Sequence, residues 1–412
     1  MSGTNMAGDP VDSLLDAVAG GRSIIVDRAV LHSAHMPDLV LHRDGEQKAV
    51  AQVLIPILKG SRPSNLLVYG KPGTGKTLVV RKVISQIQTR AADSEFPIRL
   101  VYSNAKDETT LGGLLVSLGK QLGMDQKRLP VTGLAIGEVF KRILEEVDGR
   151  GLNVVFVIDE IDHLAQLVGR TGKDILYQLT SANTRLDRGT LTIVGISNNL
   201  SFKENLDPRV ISRLADEEAV FTTYTTEQIR KILEERVAAA FAPGAVEEPA
   251  LNLCAALSGS EHGDARRAID LLRIAGEIAE RAAGGSGTDG QTVTVEHVRE
   301  ASKKMEEDKE MTVLQSYPLH EKLLILAIMR SEASSTGEVY SHYKSLCRDV
   351  AAGPLTQRRV TQMLSEIELS GIVSGRVASR GVHGRTKKHR LTVSPQTVKK
   401  AFAGDLALQG LL

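Results

Sequence analysis

A chain of 412 residues, 42% hydrophobic and 25% charged, has material for two or three globular cores at roughly 100–200 residues each. No apolar run reaches the ~18 residues of a membrane-spanning helix, and Cys254 and Cys347 stand too far apart for a metal-ligand pattern, so they are expected to be buried free thiols in a reducing compartment. The net charge of +1 hides an asymmetry: Thr312–Leu412 holds 14 Lys/Arg against 7 Asp/Glu, and residues 1–311 hold 37 against 43, which suits a polyanionic partner for the C-terminal part.

The first twenty residues, rich in Gly, Ala and Asp, lack the basic start and apolar block of a secretory signal and are expected to form a flexible tail. Asn65–Tyr69 (NLLVY) is a short buried-strand pattern, followed by helical periodicity over Lys76–Gln88. Strand patterns at Ile98–Tyr102, Val154–Ile158 and Leu191–Ile196 then alternate with helices at Val139–Val147 and Ile175–Thr184. That alternation predicts an α/β fold, a parallel sheet covered by helices on both faces. After about Phe221 the strands stop. Helices over Gln228–Ala240, Pro249–Leu257, Ala265–Ala282 and Val295–Met305, with a polar loop at Gly284–Gly290, predict an all-helical second domain, and the charged run Lys303–Glu310 a linker. The third segment reads as helices Leu319–Arg330 and Thr336–Val350, a break at Gly353-Pro354, a helix capped by Thr356 and running to Leu369, and strands Ile372–Ala378 and His389–Val393 around a Gly-rich tip. The expected domains are therefore 1–20, 21–220, 221–308 and 309–412.

Gly70-Lys71-Pro72-Gly73-Thr74-Gly75-Lys76-Thr77 matches the P-loop pattern GxxxxGK[ST] between a strand and a helix. Glycines let backbone N–H groups turn toward phosphate oxygens, and the helix start adds its positive dipole end. Lys76 is expected to reach the β- and γ-phosphates of ATP, and the Thr77 hydroxyl to bind Mg2+. The apolar run Val154–Ile158 ends in Asp159-Glu160, a Walker B pattern. Asp159 is expected to hold Mg2+ through water and Glu160 to orient and polarise the attacking water, with Asp162 extending the acidic cluster. The two motifs point to nucleoside triphosphate binding and hydrolysis without fixing the subclass.

Three further patches resemble parts of the AAA+ ATPases. Asn198, in Gly195-Ile196-Ser197-Asn198, matches the sensor 1 polar residue after the fourth strand, which implies a hydrogen bond to the γ-phosphate or the water. Leu206–Leu214 resembles the arginine-finger segment, with Arg213 the better match and Arg209 the second, either acting on a neighbouring subunit's nucleotide. Gly263–Ala268 resembles the sensor 2 start of a lid helix, with Arg266 expected to swing onto the γ-phosphate and report ATP against ADP. From about Ile25 to the end, the chain resembles the archaeal replication initiators related to the eukaryotic origin recognition complex and its helicase-loading partner. The resemblance implies an AAA+ αβα base, an all-α lid and a C-terminal winged helix. It also implies that Pro37–Asp44 contacts adenine and ribose through Val40, Leu41 and Arg43. An insertion over about Thr109–Val131, with Lys120, Lys127 and Arg128, contacts DNA in the family; here it is low in aromatic and apolar wedge residues, which disfavours strong local DNA distortion.

In the third helix of the C-terminal segment, Val360, Met363, Leu364 and Ile367 form an apolar stripe, leaving Gln357, Arg358, Thr361 and Gln362 outside it with donors suited to base edges in a major groove. The hairpin after it carries Arg376, Arg380, Arg385, Lys387, Lys388 and Arg390, with no acid between Glu368 and Asp405, which suits a phosphate backbone or narrow minor groove. The combined expectation is a cytoplasmic, nucleoid-associated replication initiator without membrane contact. It binds double-stranded origin DNA, alone or with a second copy or a paralogous initiator, and helps recruit and load the replicative helicase, with ATP/ADP as a slowly turning switch. A nucleotide-gated transcription regulator fits the same parts. A clamp-loader-like ATPase is the third reading, disfavoured by the basic winged helix.

Overall fold

The computed structural model describes residues 23–32, 35–108, 110–130, 132–167, 169–261, 263–283, 292–330, 334–379 and 385–412. The expected N-terminal tail, the Gly284–Gly290 loop and the tip of the C-terminal hairpin lie outside them. The chain divides into two compact units, Met1–Val298 and Arg299–Leu412. Among the described residues, no helix is long and apolar enough to cross a membrane.

In the first unit, β1 (Leu66–Gly70), β2 (Ile98–Asn104), β3 (Asn153–Asp159), β4 (Thr190–Ser197) and β5 (Glu217–Phe221) form a parallel sheet in the order β2-β3-β4-β1-β5. Along β3 the side chains alternate between two cores. Val154, Phe156 and Ile158 pack with Leu114, Phe140 and Ile143 on one face, and Val155 and Val157 pack with Val79, Val83 and Ile196 on the other. All of β3 is buried, as a central parallel strand covered on both faces must be. Register sets Asn104 and Ile196 opposite Asp159, so the carboxyl ends of β2, β3 and β4 lie together beside the end of β1. The sequence pattern missed β5. It is an edge strand beginning with Glu217-Glu218, and only Ala219 and Phe221 are buried, too few for an apolar run.

Beyond β5 the chain is helical: Thr226–Ala240, Glu248–Glu261, Ala265–Ala283 and Val295–Ser316. Thr225 and Gln228 form a capping box that fixes where the first of these starts. Residues 23–31, expected in the base, dock on this helical part instead: Ile25 bridges Phe241, the Val26 N–H donates to Ala240 O, and Leu31 is fully buried. Burying Ile25, Val30 and Leu31 is worth about 1.5–3 kcal/mol each against an exposed tail. The expected linker Lys303–Glu310 is helix within Val295–Ser316, because that stretch has no Gly or Pro and is rich in helix formers, with Lys303 and Glu307 paired at i,i+4.

The second unit builds its core from Leu319–Met329, Thr336–Asp349 and Gln357–Leu369, with Tyr343 and Phe402 fully buried. Its three-stranded sheet, ordered β6-β8-β7, pairs the two-residue β6 (Ser334–Ser335) and β7 (Val373–Ser379) antiparallel with β8 (Arg385–Leu391). A final helix, Pro395–Phe402, which the sequence pattern did not yield, starts on a Ser394 cap. Three helices followed by a hairpin make a winged helix.

Candidate nucleotide site and nucleic-acid interface

The P-loop leaves β1 at Gly70 and enters the helix Lys76–Ala91 through Gly73 and Gly75, whose φ values of 71° and 87° favour glycine. Lys76 is 4% exposed, and its Nζ donates to Gly70 O at 2.8 Å and Lys71 O at 2.7 Å. Burial pushes its pKa down to about 8; Asp159 opposes that shift and Arg266 adds to it. The ammonium is therefore held inside the loop that has to cradle the phosphates. Pro72 and Thr74 complete the turn, with the Thr74 hydroxyl donating to Lys71 O.

Asp159 is gripped by three donors. The Thr77 hydroxyl (2.7 Å) and the Tyr102 phenol (2.8 Å) both donate to Oδ2, and the Glu160 N–H donates to Oδ1 at 2.8 Å. Burial and the adjacent Asp159 charge hold the Tyr102 phenol well above its ordinary pKa. The Thr77 hydroxyl and the Asp159 carboxylate, in contact, fit the oxygen ligands that Mg2+ takes, and these two residues would hold the ion. Glu160 has φ of 51°, a left-handed backbone rare for a non-glycine residue, and its carboxylate pairs with Lys106. Ser197 donates to Asp162 Oδ1 at 2.9 Å, and Asn198 stands half-buried just past it at the end of β4.

The lid helix Ala265–Ala283 starts directly on the P-loop. The Ala265 N–H donates to Gly73 O at 3.3 Å, and the Asp264 carboxylate lies where a Cβ on Gly73 would sit, 1.7 Å from it. Asp264 Oδ1 accepts the Arg266 and Arg267 N–H groups, which fixes the first turn and the exposed Arg266 beside the site. Arg209 and Arg213 lie elsewhere, on the helix Pro208–Leu214, with guanidiniums 5.1 and 5.3 Å from the Tyr177 ring centre; Arg209 also pairs with Asp207. Of the residues expected at adenine, Val40 is buried in the base core, Leu41 is half-buried, and Arg43 is 3% exposed with its nitrogens on Thr74 O, Thr222 O and Glu46. Sequence reasoning missed Tyr102, Lys106 and Asp264. Tyr102 was visible only as the end of a strand, and its meeting with Asp159 depends on which strands pair.

In the winged helix, Gln357, Arg358, Thr361 and Gln362 are exposed, as the apolar stripe requires. Thr356 caps their helix through the Arg359 N–H. The Gln362 amide donates to Glu366, and the Thr361 hydroxyl to Gln357 O. The β7–β8 register pairs Arg376 with Lys388 and Ser374 with Arg390, so three basic residues share one exposed face. Lys387 and His389 lie on the opposite face, and there the structure departs from the expected basic stripe. Lys387 pairs with Glu368 of the helix Gln357–Leu369, and His389 Nδ1 lies 2.9 Å from the same carboxylate. Burial lowers the His389 pKa against the pull of Glu368. Arg385 opens β8, and Arg380 lies outside the described residues. Lys120 lies in the last turn of the helix Leu111–Gln121, Lys127 is exposed beyond it, and Arg128 is paired with Glu146.

Three family models match successive parts of the chain: an AAA domain over residues 59–198, a Cdc6 AAA+ ATPase-type lid domain over 230–303, and a CDC6 C-terminal winged helix domain over 312–401. The ORC1-type DNA replication protein of Cenarchaeum symbiosum (strain A) is 62% identical over 404 residues, covering 98% of this chain and 97% of that protein. The chain belongs to the ORC1-type DNA replication proteins. Its function is that of a DNA replication initiator built on the AAA+ ATPase fold. The ORC1-type protein of Pyrococcus abyssi (strain GE5 / Orsay) is 39% identical over 411 residues, covering 98% and 95%. Among solved structures, Aeropyrum pernix ORC1 in complex with DNA superposes with a TM-score of 0.80 at 40% identity, over 95% of this chain and all of that one. Cdc6p from Pyrobaculum aerophilum, at 24% identity and TM-score 0.58 over 93% of this chain and all of that one, shares the fold. The ORC1-type assignment accounts for the lid seated on the P-loop and for the basic wing in one chain.

Proposed function

We propose that this ORC1-type protein binds ATP or ADP with Mg2+ at the P-loop and hydrolyses ATP slowly to ADP and phosphate. Its winged helix grips duplex origin DNA, and its nucleotide state governs recruitment and loading of the replicative helicase, in the cytoplasm at the nucleoid. The observation that carries this is the lid start on Gly73: the Ala265 N–H and the Asp264 carboxylate touch the loop that holds the phosphates, so a bound nucleotide necessarily changes what the lid meets. P-loop amides and Lys76 bind the phosphates, Thr77 and Asp159 hold the metal, and Glu160 takes the proton side of the attacking water. A Mg2+ ion held there would supply neutralisation of phosphate charge. Asn198 and Arg266 read the γ-phosphate, and Arg213 or Arg209 completes the site of a neighbouring copy or a paralogue. Gln357, Arg358, Thr361 and Gln362 face the major groove, while Arg376, Lys388 and Arg390 take phosphates. A solved ORC1 complex with DNA, 40% identical, supports this part.

Titration calorimetry with ATP is the direct test. Lys76→Ala removes charge-assisted bonds worth ~3 kcal/mol, so affinity should fall about 100-fold, and an unchanged affinity would refute the phosphate site. Genome-wide mapping of bound DNA decides the role: sites at replication origins support initiation, and promoter sites alone would favour a transcription regulator.

A further inference from the structure

We propose that Arg43 is a positioning residue that couples the P-loop to the lid, and not a contact to the adenine. The inference rests on the nucleotide reading above. Arg43 precedes the helix Asp44–Leu54 and is 3% exposed. Its Nε donates to Thr74 O of the P-loop at 3.0 Å, its Nη2 to Thr222 O at 2.6 Å, and its Nη1 pairs with Glu46. The guanidinium lies 3.9 Å from the Tyr224 ring centre and 5.6 Å from that of Phe221. All three nitrogens are engaged by protein, and a buried guanidinium is tolerated only when so engaged.

Its partners form a closed circuit. The Tyr224 hydroxyl lies 2.7 Å from where a Gly75 Cβ would be, so the ring that carries Arg43 also presses on the P-loop. The Tyr224 N–H donates to Gly263 O at 3.2 Å, and a Cβ on Gly263, whose φ is 60°, would come within 2.7 Å of Thr223 and of Tyr224 O. The next residue, Asp264, sits on Gly73, and the Ala265 N–H bonds Gly73 O. One planar fork thus holds Thr74 in the loop and Thr222 in the crossing to the lid at fixed separation. When phosphates draw the loop amides toward them, Thr74 O moves with them, and Arg43 passes that displacement to Thr222–Tyr224 and on to the lid start. A lysine ammonium lacks the rigid fork that spans these acceptors.

The test uses the full chain with Arg43→Lys, and Arg43→Gln combined with Glu46→Gln as a second variant that removes the fork and leaves no unpaired buried charge. Hydrogen exchange at the Tyr224 and Ala265 amides, the two donors across the lid junction, is followed without nucleotide, with ADP and with a non-hydrolysable ATP analogue. Affinities for ATP, ADP and GTP are measured in parallel. In the unaltered protein the analogue should slow exchange relative to ADP. In Arg43→Lys that difference should vanish, and the ATP-over-ADP preference should shrink at least about fivefold, within the usual range of coupling between sites. The ATP-over-GTP preference should stay unchanged. Loss of the GTP discrimination with the lid response intact would make Arg43 a base contact and overturn the proposal. So would an unchanged lid response. Should Arg43→Lys fail to fold, the double variant decides: a wild-type lid response in it overturns the coupling. Failure of the unaltered chain to bind ATP would sink the nucleotide reading itself, whereas wild-type binding with indifferent variants sinks only the coupling.

Discussion

Lys76 sets burial against charge. Its folded pKa, about 8, lies below the ordinary 10.5. Between those values the unfolded chain holds the proton and the folded chain does not, so stability without nucleotide rises with pH through that window. Phosphate beside the ammonium favours the charged form and returns the pKa upward. ATP binding at pH 9 should therefore take up protons, which calorimetry in buffers of different ionisation enthalpy will detect. No uptake would show that the phosphates do not reach the lysine. Glu160 is held by its left-handed backbone and by Lys106. Glu160→Gln should retain ATP and slow its hydrolysis by about 10²–10⁴-fold, the ordinary contribution of a general base. A variant of normal turnover would remove Glu160 from the chemistry.

At the scale of elements, the wing shows how register sorts like charges. Residues in Arg385–Leu391 alternate between faces, so Lys388 and Arg390 are exposed beside Arg376 while Lys387 turns to Glu368. Neutralising Arg376, Lys388 and Arg390 together should make the plot of log affinity against log salt shallower by about 2–3, at ~0.9 per phosphate contact. Lys387→Ala should leave that slope nearly unchanged and, its pair being partly exposed, cost under about 1 kcal/mol of stability. Fluorescence anisotropy over a salt series checks both, and equal slopes for the two variants would contradict the sorting. The basic run itself was plain in the sequence. Which of its members face outward was not, because a run of like charges carries no polar–apolar alternation to mark the register.

Over the whole molecule, the two units have separate cores. On the proposed reading ATP binds one and DNA chiefly the other, so a two-state description does not apply to the chain. Differential scanning calorimetry should resolve two transitions, and ATP at about 100 times its Kd should stabilise the first unit by ~2.7 kcal/mol. Duplex DNA should raise the transition of the winged helix. A single transition moved equally by both ligands would mean that the units melt as one.

Sequence alone determined the fold class and where the candidate chemistry lies. Gly70–Thr77, Asp159-Glu160 and the apolar runs each depend on local spacing, which the chain carries wherever it folds. The family resemblance followed from the same local patches. Tertiary structure decided which side chains meet. Tyr102 reaches Asp159 only because β2 pairs with β3, β5 takes its edge place only because β1 accepts it, and residues 23–31 leave the base for the lid because Ile25 finds Phe241. Arg43 makes the same point: its motif resembled a nucleotide contact, and packing turned its fork toward the protein's own carbonyls. Contacts between distant segments are set by burial and strand pairing, which no local pattern encodes.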